Sequence, residues 1–169
     1  EFCQLILDNS KKIIKIKKGV IITENRLGII TANAGIDQSN INKKDFCLLL
    51  PLNPNASARK ISRAIYEETG KKLGIIITDS VGRPWRHGLT QISIGSFGIS
   101  PIKKYKKDLF KNNLYDTEVP IVDEIASAAG ILMEKDIGIP VVLIKGYNYS
   151  SSNKNSSVLL RSDKNDIFK

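Results

Sequence analysis

The residues best suited to chemistry stand in one short stretch, Asp79-Ser80-Val81-Gly82-Arg83-Pro84-Trp85-Arg86-His87-Gly88. Asp79 offers a carboxylate and Ser80 a hydroxyl, hard oxygen donors able to hold a divalent cation. Arg83 and Arg86 carry guanidinium groups able to grip a phosphate or carboxylate with two parallel bonds. A cation beside an anion grip points to phosphoryl chemistry. The plainer reading is a capped turn, with Asp79 and Ser80 bonding backbone amides and the arginines standing in water. Residue types alone leave the two evenly matched. A second polar cluster, Ala32-Asn33-Ala34-Gly35-Ile36-Asp37-Gln38-Ser39-Asn40, follows a glycine turn. It can donate another metal carboxylate from Asp37 and an amide from Asn40. It reads equally as an Asx-turn or helix cap, which residue type favours. His87 has no second histidine with which to build an imidazole metal site, leaving substrate contact or a loop role. Trp85 reads as a packed anchor in preference to a platform for bases.

Elements must carry these loops to one place. Ile75-Ile76-Ile77 has no polar face and reads as a short strand buried on both sides, ending at Asp79 because Gly82 and Pro84 disfavour continuation. Residues 89–97 alternate apolar and polar, as in a half-buried antiparallel strand. Gly95 and Gly98 there permit a bulge or close approach of backbone to a ligand. Residues 20–24 and 27–31 flank Asn25-Arg26 and read as a hairpin, residues 46–50 as a buried strand closed by Pro51.

Phe2, Leu5 and Ile6 show helical spacing at the start of the chain. A clearer helix follows residue 53, capped by Asn55 or Ser57 and ended by Gly70. Its apolar stripe is Ala58, Ile61, Ile65 and Tyr66, with Arg59, Lys60 and Arg63 toward solvent. Residues 100–113 read as basic, irregular and exposed. Thr117 caps a third helix with Pro120 in its first turn and a stripe of Ile121, Ile125, Ala128, Ala129 and Leu132; residues 126–130 permit close packing. Asp123 and Glu124 are accounted for by the positive end of that helix. Residues 140–145 read as a fully buried strand, 147–157 as a mobile loop or low-complexity insertion, and 158–161 as a last short strand. The hairpin and the alternating strand favour an α+β fold, a mixed and largely antiparallel sheet packed with helices, over a doubly wound parallel one.

A chain of 169 residues with 41% hydrophobic and 25% charged residues can bury one good core. No run approaches the ~20 apolar residues of a bilayer span, and no leader pattern precedes a cleavage site, so the expectation is a soluble cytoplasmic protein without membrane partners. Cys3 and Cys47 stand alone, without zinc or disulfide spacing. The net charge of +9 favours polyanions, but its lysine runs at 11–18 and 103–107 read as solvated faces before a nucleic-acid site.

The two polar clusters, with Ile94-Gly95-Ser96-Phe97-Gly98, Leu49-Leu50-Pro51 and Thr117-Glu118-Val119-Pro120-Ile121-Val122-Asp123-Glu124-Ile125-Ala126, resemble the signature of the coenzyme F-420 gamma-glutamyl ligases. The likeness runs on through residues 140–146 and reaches Leu160-Arg161 and Asp166-Ile167-Phe168. It implies a GTP-dependent ligase that adds L-glutamate to the deazaflavin precursor through an acyl phosphate, with magnesium or manganese required, potassium helpful, and a homodimer as the assembly. Position by position it implies Asp37 and Asp79 as acidic metal ligands, Ser80 in place of a threonine ligand, and Asn40 as a nucleotide contact. It also implies 133–139, including Met133, Glu134 and Lys135, as the loop approaching the nucleotide. Arg83 and Arg86 join the expected catalytic set on chemical grounds alone. Three departures follow. Ser80 keeps the hydroxyl; Met133-Glu134-Lys135 replaces a pattern with glycine after methionine and puts Lys135 where some members place an acidic or amide ligand; and the family's N-terminal portion has no counterpart in this sequence. The expectation is a ligase domain over 1–169 lacking the family's N-terminal segment, which supplies further nucleotide contacts. That leaves a fragment, a partner-completed site or a chain without catalysis; the alternatives are a nucleotide- or anion-binding remnant and a basic nucleic-acid-binding domain.

Overall fold

A computed structural model describes residues 1–166, so the likeness at Ile167 and Phe168 lies outside the described residues. Helix α1 (Phe2–Asp8) opens the chain as the apolar spacing requires, and buries Ile6. Ile6 packs on Ala34 and Ile36, with Phe2, Leu5, Ile21 and Cys47 around them. Strands β1 (Ser10–Lys17), β2 (Val20–Asn25) and β3 (Ile30–Ala32) form an antiparallel sheet in chain order. The β2–β3 hairpin is the expected one. The lysine run is solvated, as expected, yet it is also a strand, because an edge strand can expose both faces while its backbone pairs on one side.

Helix α2 (Pro54–Thr69) is capped by Asn53, whose side chain accepts from the Ala56 amide at 2.9 Å ahead of proline at the first helical position. The expected caps Asn55 and Ser57 therefore lie inside the helix. Gly70 ends it in the left-handed conformation, as the sequence predicts. The buried face is Pro54, Ala58 and Ser62, while Ile61 and Tyr66 are exposed. Small residues are needed there because the helix start presses on a glycine. A Cβ at Gly95 would stand 2.5 Å from the Pro54 carbonyl carbon. The close approach expected at Gly95 is thus by a helix instead of a ligand.

Strands β4 (Ile75–Arg83) and β5 (Arg86–Phe97) form a long antiparallel hairpin. β4 does not stop at Asp79: the ladder runs Asp79 to Ile92, Ser80 to Gln91 and on to Arg83 opposite Arg86. A continuous partner strand outweighs the local weakness at Gly82, and Pro84 falls in the turn, where no ladder amide is needed. Residues 75–77 are half-buried, not covered on both faces. Both α2 and helix α3 (Ile121–Met133) pack on β5, which is the alternating strand expected.

Between them, β6 (Lys103–Lys107) and β7 (Asn113–Val119) form an exposed hairpin, tied by a Lys104–Glu118 ion pair, where irregular chain was expected. Thr117 belongs to β7, and α3 starts after Pro120. Its buried residues are Val122, Ala126 and Ala129, so the buried stripe is displaced from the one expected, and Leu132 is exposed. The close packing expected of 126–130 is present: a Cβ at Gly130 would meet Gln91 Cγ at 2.6 Å.

Two expected buried strands are absent among the described residues. Residues 46–50 form only a bridge from Leu48 to Asp37, with Phe46, Leu48 and Leu49 exposed. Residues 140–145 are unpaired, with Val141, Leu143 and Ile144 exposed. An apolar run shows that a segment needs covering, not what covers it. The Ser/Asn-rich stretch after Gly146 is docked: Gly74 N donates to Tyr149 Oη at 2.9 Å, Ser100 N to Ser150 O at 2.8 Å, and Ser156 is buried. It runs into a 3-10 turn, Ser156–Leu159, in place of the last expected strand. No helix among the described residues is long and apolar enough to cross a membrane.

Candidate functional site

Asp37 follows the 3-10 turn Asn33–Gly35, on chain stapled to Leu48 by two backbone bonds of 3.0 and 2.7 Å. Its Oδ1 accepts from Ser39 N at 2.7 Å, so the Asx-turn reading of this cluster describes the local structure. Asp79 stands mid-strand on β4, its Oδ1 accepting from Ser80 N at 2.9 Å. A register shift between Ile77 and Thr78 breaks the regular pleat just before it.

The two carboxylates feel one another across the sequence that separates them. Burial pushes Asp79 above the ordinary carboxylate range and the charge of Asp37 pushes the same way, against the Ser80 amide and the positive charge of Lys135. Asp37 goes the other way. Burial opposes its ionisation, but bonds from the Ser39 side chain and amide, the Lys135 charge and the Gln38 amide together hold it below the ordinary range. Two neighbouring acids driven apart in this manner are typical of a worked site.

A third stretch closes the cluster. After Met133, the last residue of α3, Glu134 adopts φ 46 and ψ −155, and this turn aims Lys135 back across the sheet. Asn40 Nδ2 donates to Lys135 O at 2.8 Å, and Lys135 Nζ donates to Ser80 Oγ at 2.8 Å. Asp37, Asn40, Asp79, Ser80 and Lys135 therefore meet, from a loop, a strand and a helix end.

Arg83 and Arg86 do not join them. They pair across the hairpin tip, four strand steps or roughly 13 Å beyond Asp79, and Arg83 Nη2 donates to His87 O at 3.2 Å. Trp85 sits in that tip at φ 60 and is 83% exposed, so it is not the packed anchor expected.

The donors fit a hard divalent ion. Two carboxylates and a hydroxyl are the oxygen ligands that magnesium and manganese take, with water completing the shell, and the cluster already attracts a cation in the Lys135 ammonium. Among the described residues no group of three His, Cys, Asp or Glu side chains is gathered there or elsewhere.

Sequence reasoning missed a second polar centre. Ser93, Ser96 and Ser156 are buried, the Ser156 hydroxyl bonding both Ser96 Oγ at 2.9 Å and Ser93 Oγ at 2.5 Å. Asp123 Oδ1 accepts from Ser93 N at 2.9 Å; burial pushes this carboxyl up, with the Ser93 amide opposing. Beside them lies a cavity of about 350 Å³ lined by Leu27, Ile29, Pro54, Ile92, Asp123 and Leu160, among others. Ser156 stands in a run without apolar period, which held no signal for it.

The sequence profile of the F420-0:Gamma-glutamyl ligase family matches residues 1–146. The chain is 47% identical over 169 residues to the coenzyme F420:L-glutamate ligase of Methanocaldococcus jannaschii, covering 98% of this chain and 67% of that protein. It is 39% identical over 171 residues to the enzyme of that name from Methanothermobacter thermautotrophicus, covering 98% and 68%. It is 41% identical over 172 residues to that of Methanococcus maripaludis strain S2, covering 100% and 68%. The chain thus spans about two thirds of the length of these relatives.

Proposed function

The chain belongs to the F420-0:gamma-glutamyl ligase family, and from that premise we propose that it joins L-glutamate to a deazaflavin coenzyme precursor at the expense of GTP. The observation that carries this reading is the bonded meeting of Asn40, Ser80 and Lys135 beside Asp37 and Asp79.

In the proposed reaction a carboxylate oxygen of the precursor attacks the γ-phosphorus of GTP, and the bond to the β-phosphate oxygen breaks to release GDP. The resulting acyl phosphate is attacked at its carbonyl carbon by the glutamate amine. Phosphate leaves with the bonding pair, the nitrogen gives up a proton, and an amide remains. A bound magnesium or manganese ion would neutralise charge on the transferring phosphoryl group. Asp37, Asp79 and Ser80 are the residues that would hold it. Asn40 binds and orients the nucleotide from the neighbouring loop, and the Met133 to Lys135 turn carries an ammonium to the phosphate side. Arg83 and Arg86 enter as anion contacts reached from the hairpin tip, a role their distance from Asp79 makes secondary. Potassium enters as an activating ion. We propose a homodimer as the assembly, on the family resemblance alone.

The test is incorporation of labelled glutamate into the precursor, with GTP and Mg²⁺ or Mn²⁺, with and without K⁺, for wild type, Asp37→Asn and Asp79→Asn. The expected result is turnover in the wild type that falls at least about a hundredfold in either variant. Metal-dependent GTP binding without incorporation, in the wild type, would instead identify a nucleotide-binding remnant.

A further inference from the structure

Lys135 is held at both ends. Its carbonyl is fixed by Asn40 Nδ2 and its ammonium by Ser80 Oγ, both at 2.8 Å. The backbone anchor leaves the four-carbon stem free to change direction while the residue stays in place. Its positive charge acts on both Asp37 and Asp79, so the acid pair has a counter-charge supplied by the chain itself.

A serine oxygen has two lone pairs, and the ammonium takes one of them. A divalent ion on the other would lie about 2.1 Å from that oxygen, which puts it roughly 4 Å from Nζ. Two cations at that separation repel even where, as here, the Lys135–Ser80 contact is exposed and only Asp79 and Ser80 are partly buried, and the carboxylates must be shared between them. An ammonium and a metal ion therefore weaken one another's hold on Ser80.

We propose that Lys135 is a resident counter-cation that competes with the divalent ion for Ser80, and that metal loading drives its ammonium off the hydroxyl. The proposal rests on Asp37, Asp79 and Ser80 being the metal ligands, as inferred above. It gives this chain a lower affinity for the free ion than its oxygen donors alone would produce. It also leaves a mobile ammonium available to the anionic oxygens that arrive with the ion.

The experiment is titration of the chain with Mn²⁺ alone, following the free ion by electron paramagnetic resonance, for wild type, Lys135→Met, which removes the charge without adding an oxygen donor, Lys135→Arg and Asp79→Asn. Lys135→Met is expected to bind Mn²⁺ about tenfold more tightly or better, Lys135→Arg no more tightly than wild type, and Asp79→Asn much more weakly. If Asp79→Asn loses Mn²⁺ while Lys135→Met binds it no better than wild type, the competition is refuted and the metal site stands. If Asp79→Asn binds Mn²⁺ as wild type does, the ligand assignment falls and the competition with it.

Discussion

Replacing Glu134 by glycine probes the turn that brings Lys135 into the acid cluster. Glu134 sits at φ 46 and ψ −155, close to a region of backbone space that side chains avoid and glycine enters freely. Holding a residue with a Cβ there costs about 1–3 kcal/mol. Glycine also loosens the unfolded chain, which takes back roughly 0.4–1 kcal/mol. The carboxylate itself is exposed, so its removal changes little. The net expectation is a stabilisation of about 1–2 kcal/mol, which for a chain of this size raises Tm by roughly 2–8 °C. Thermal unfolding followed by circular dichroism measures it, with Glu134→Ala as control, since alanine removes the charge and keeps the Cβ. A glycine variant no more stable than wild type, or an alanine variant that gains as much, would refute the strain argument. The resemblance predicts glycine at this position, so the variant also restores the residue the family pattern carries.

Two further outcomes follow from the packing. Gly95→Ala sets a methyl group 2.5 Å from the Pro54 carbonyl carbon and 2.8 Å from Asn55 N, both helix backbone, and should cost about 1–3 kcal/mol or more in urea unfolding. Asp123→Asn keeps an acceptor for Ser93 N and removes a carboxyl that burial pushes upward. A raised folded pKa means that the native state holds its proton longer than the unfolded state, so stability is lost as pH climbs from the ordinary aspartate range through the raised one. The asparagine variant should therefore be more stable than wild type at neutral pH, with a flatter stability curve above about pH 4. Equal stability of the two proteins at pH 7 would show that the favourable helix dipole already offsets the burial of Asp123.

Much of the local structure is legible in residue order. Apolar spacing marks α1, α2 and α3; Asn25-Arg26 marks the β2–β3 hairpin; alternation marks β5; Gly70 marks the end of α2. Each depends on interactions within a few residues, or on a periodicity that a single face imposes. The same information sufficed to single out Asp37, Asn40, Asp79, Ser80 and Lys135 by type and by resemblance. Only the tertiary structure brings them together, because the bonds that unite them, Asn40 to Lys135 and Lys135 to Ser80, join positions remote in the chain. It also decides that Arg83 and Arg86 lie at the hairpin tip, since a paired β4 carries the chain straight on past Asp79. The apolar runs at 46–50 and 140–145 failed as strands for the same reason. Hydrophobicity is a property of the residue, whereas a strand needs a partner whose position the rest of the fold supplies.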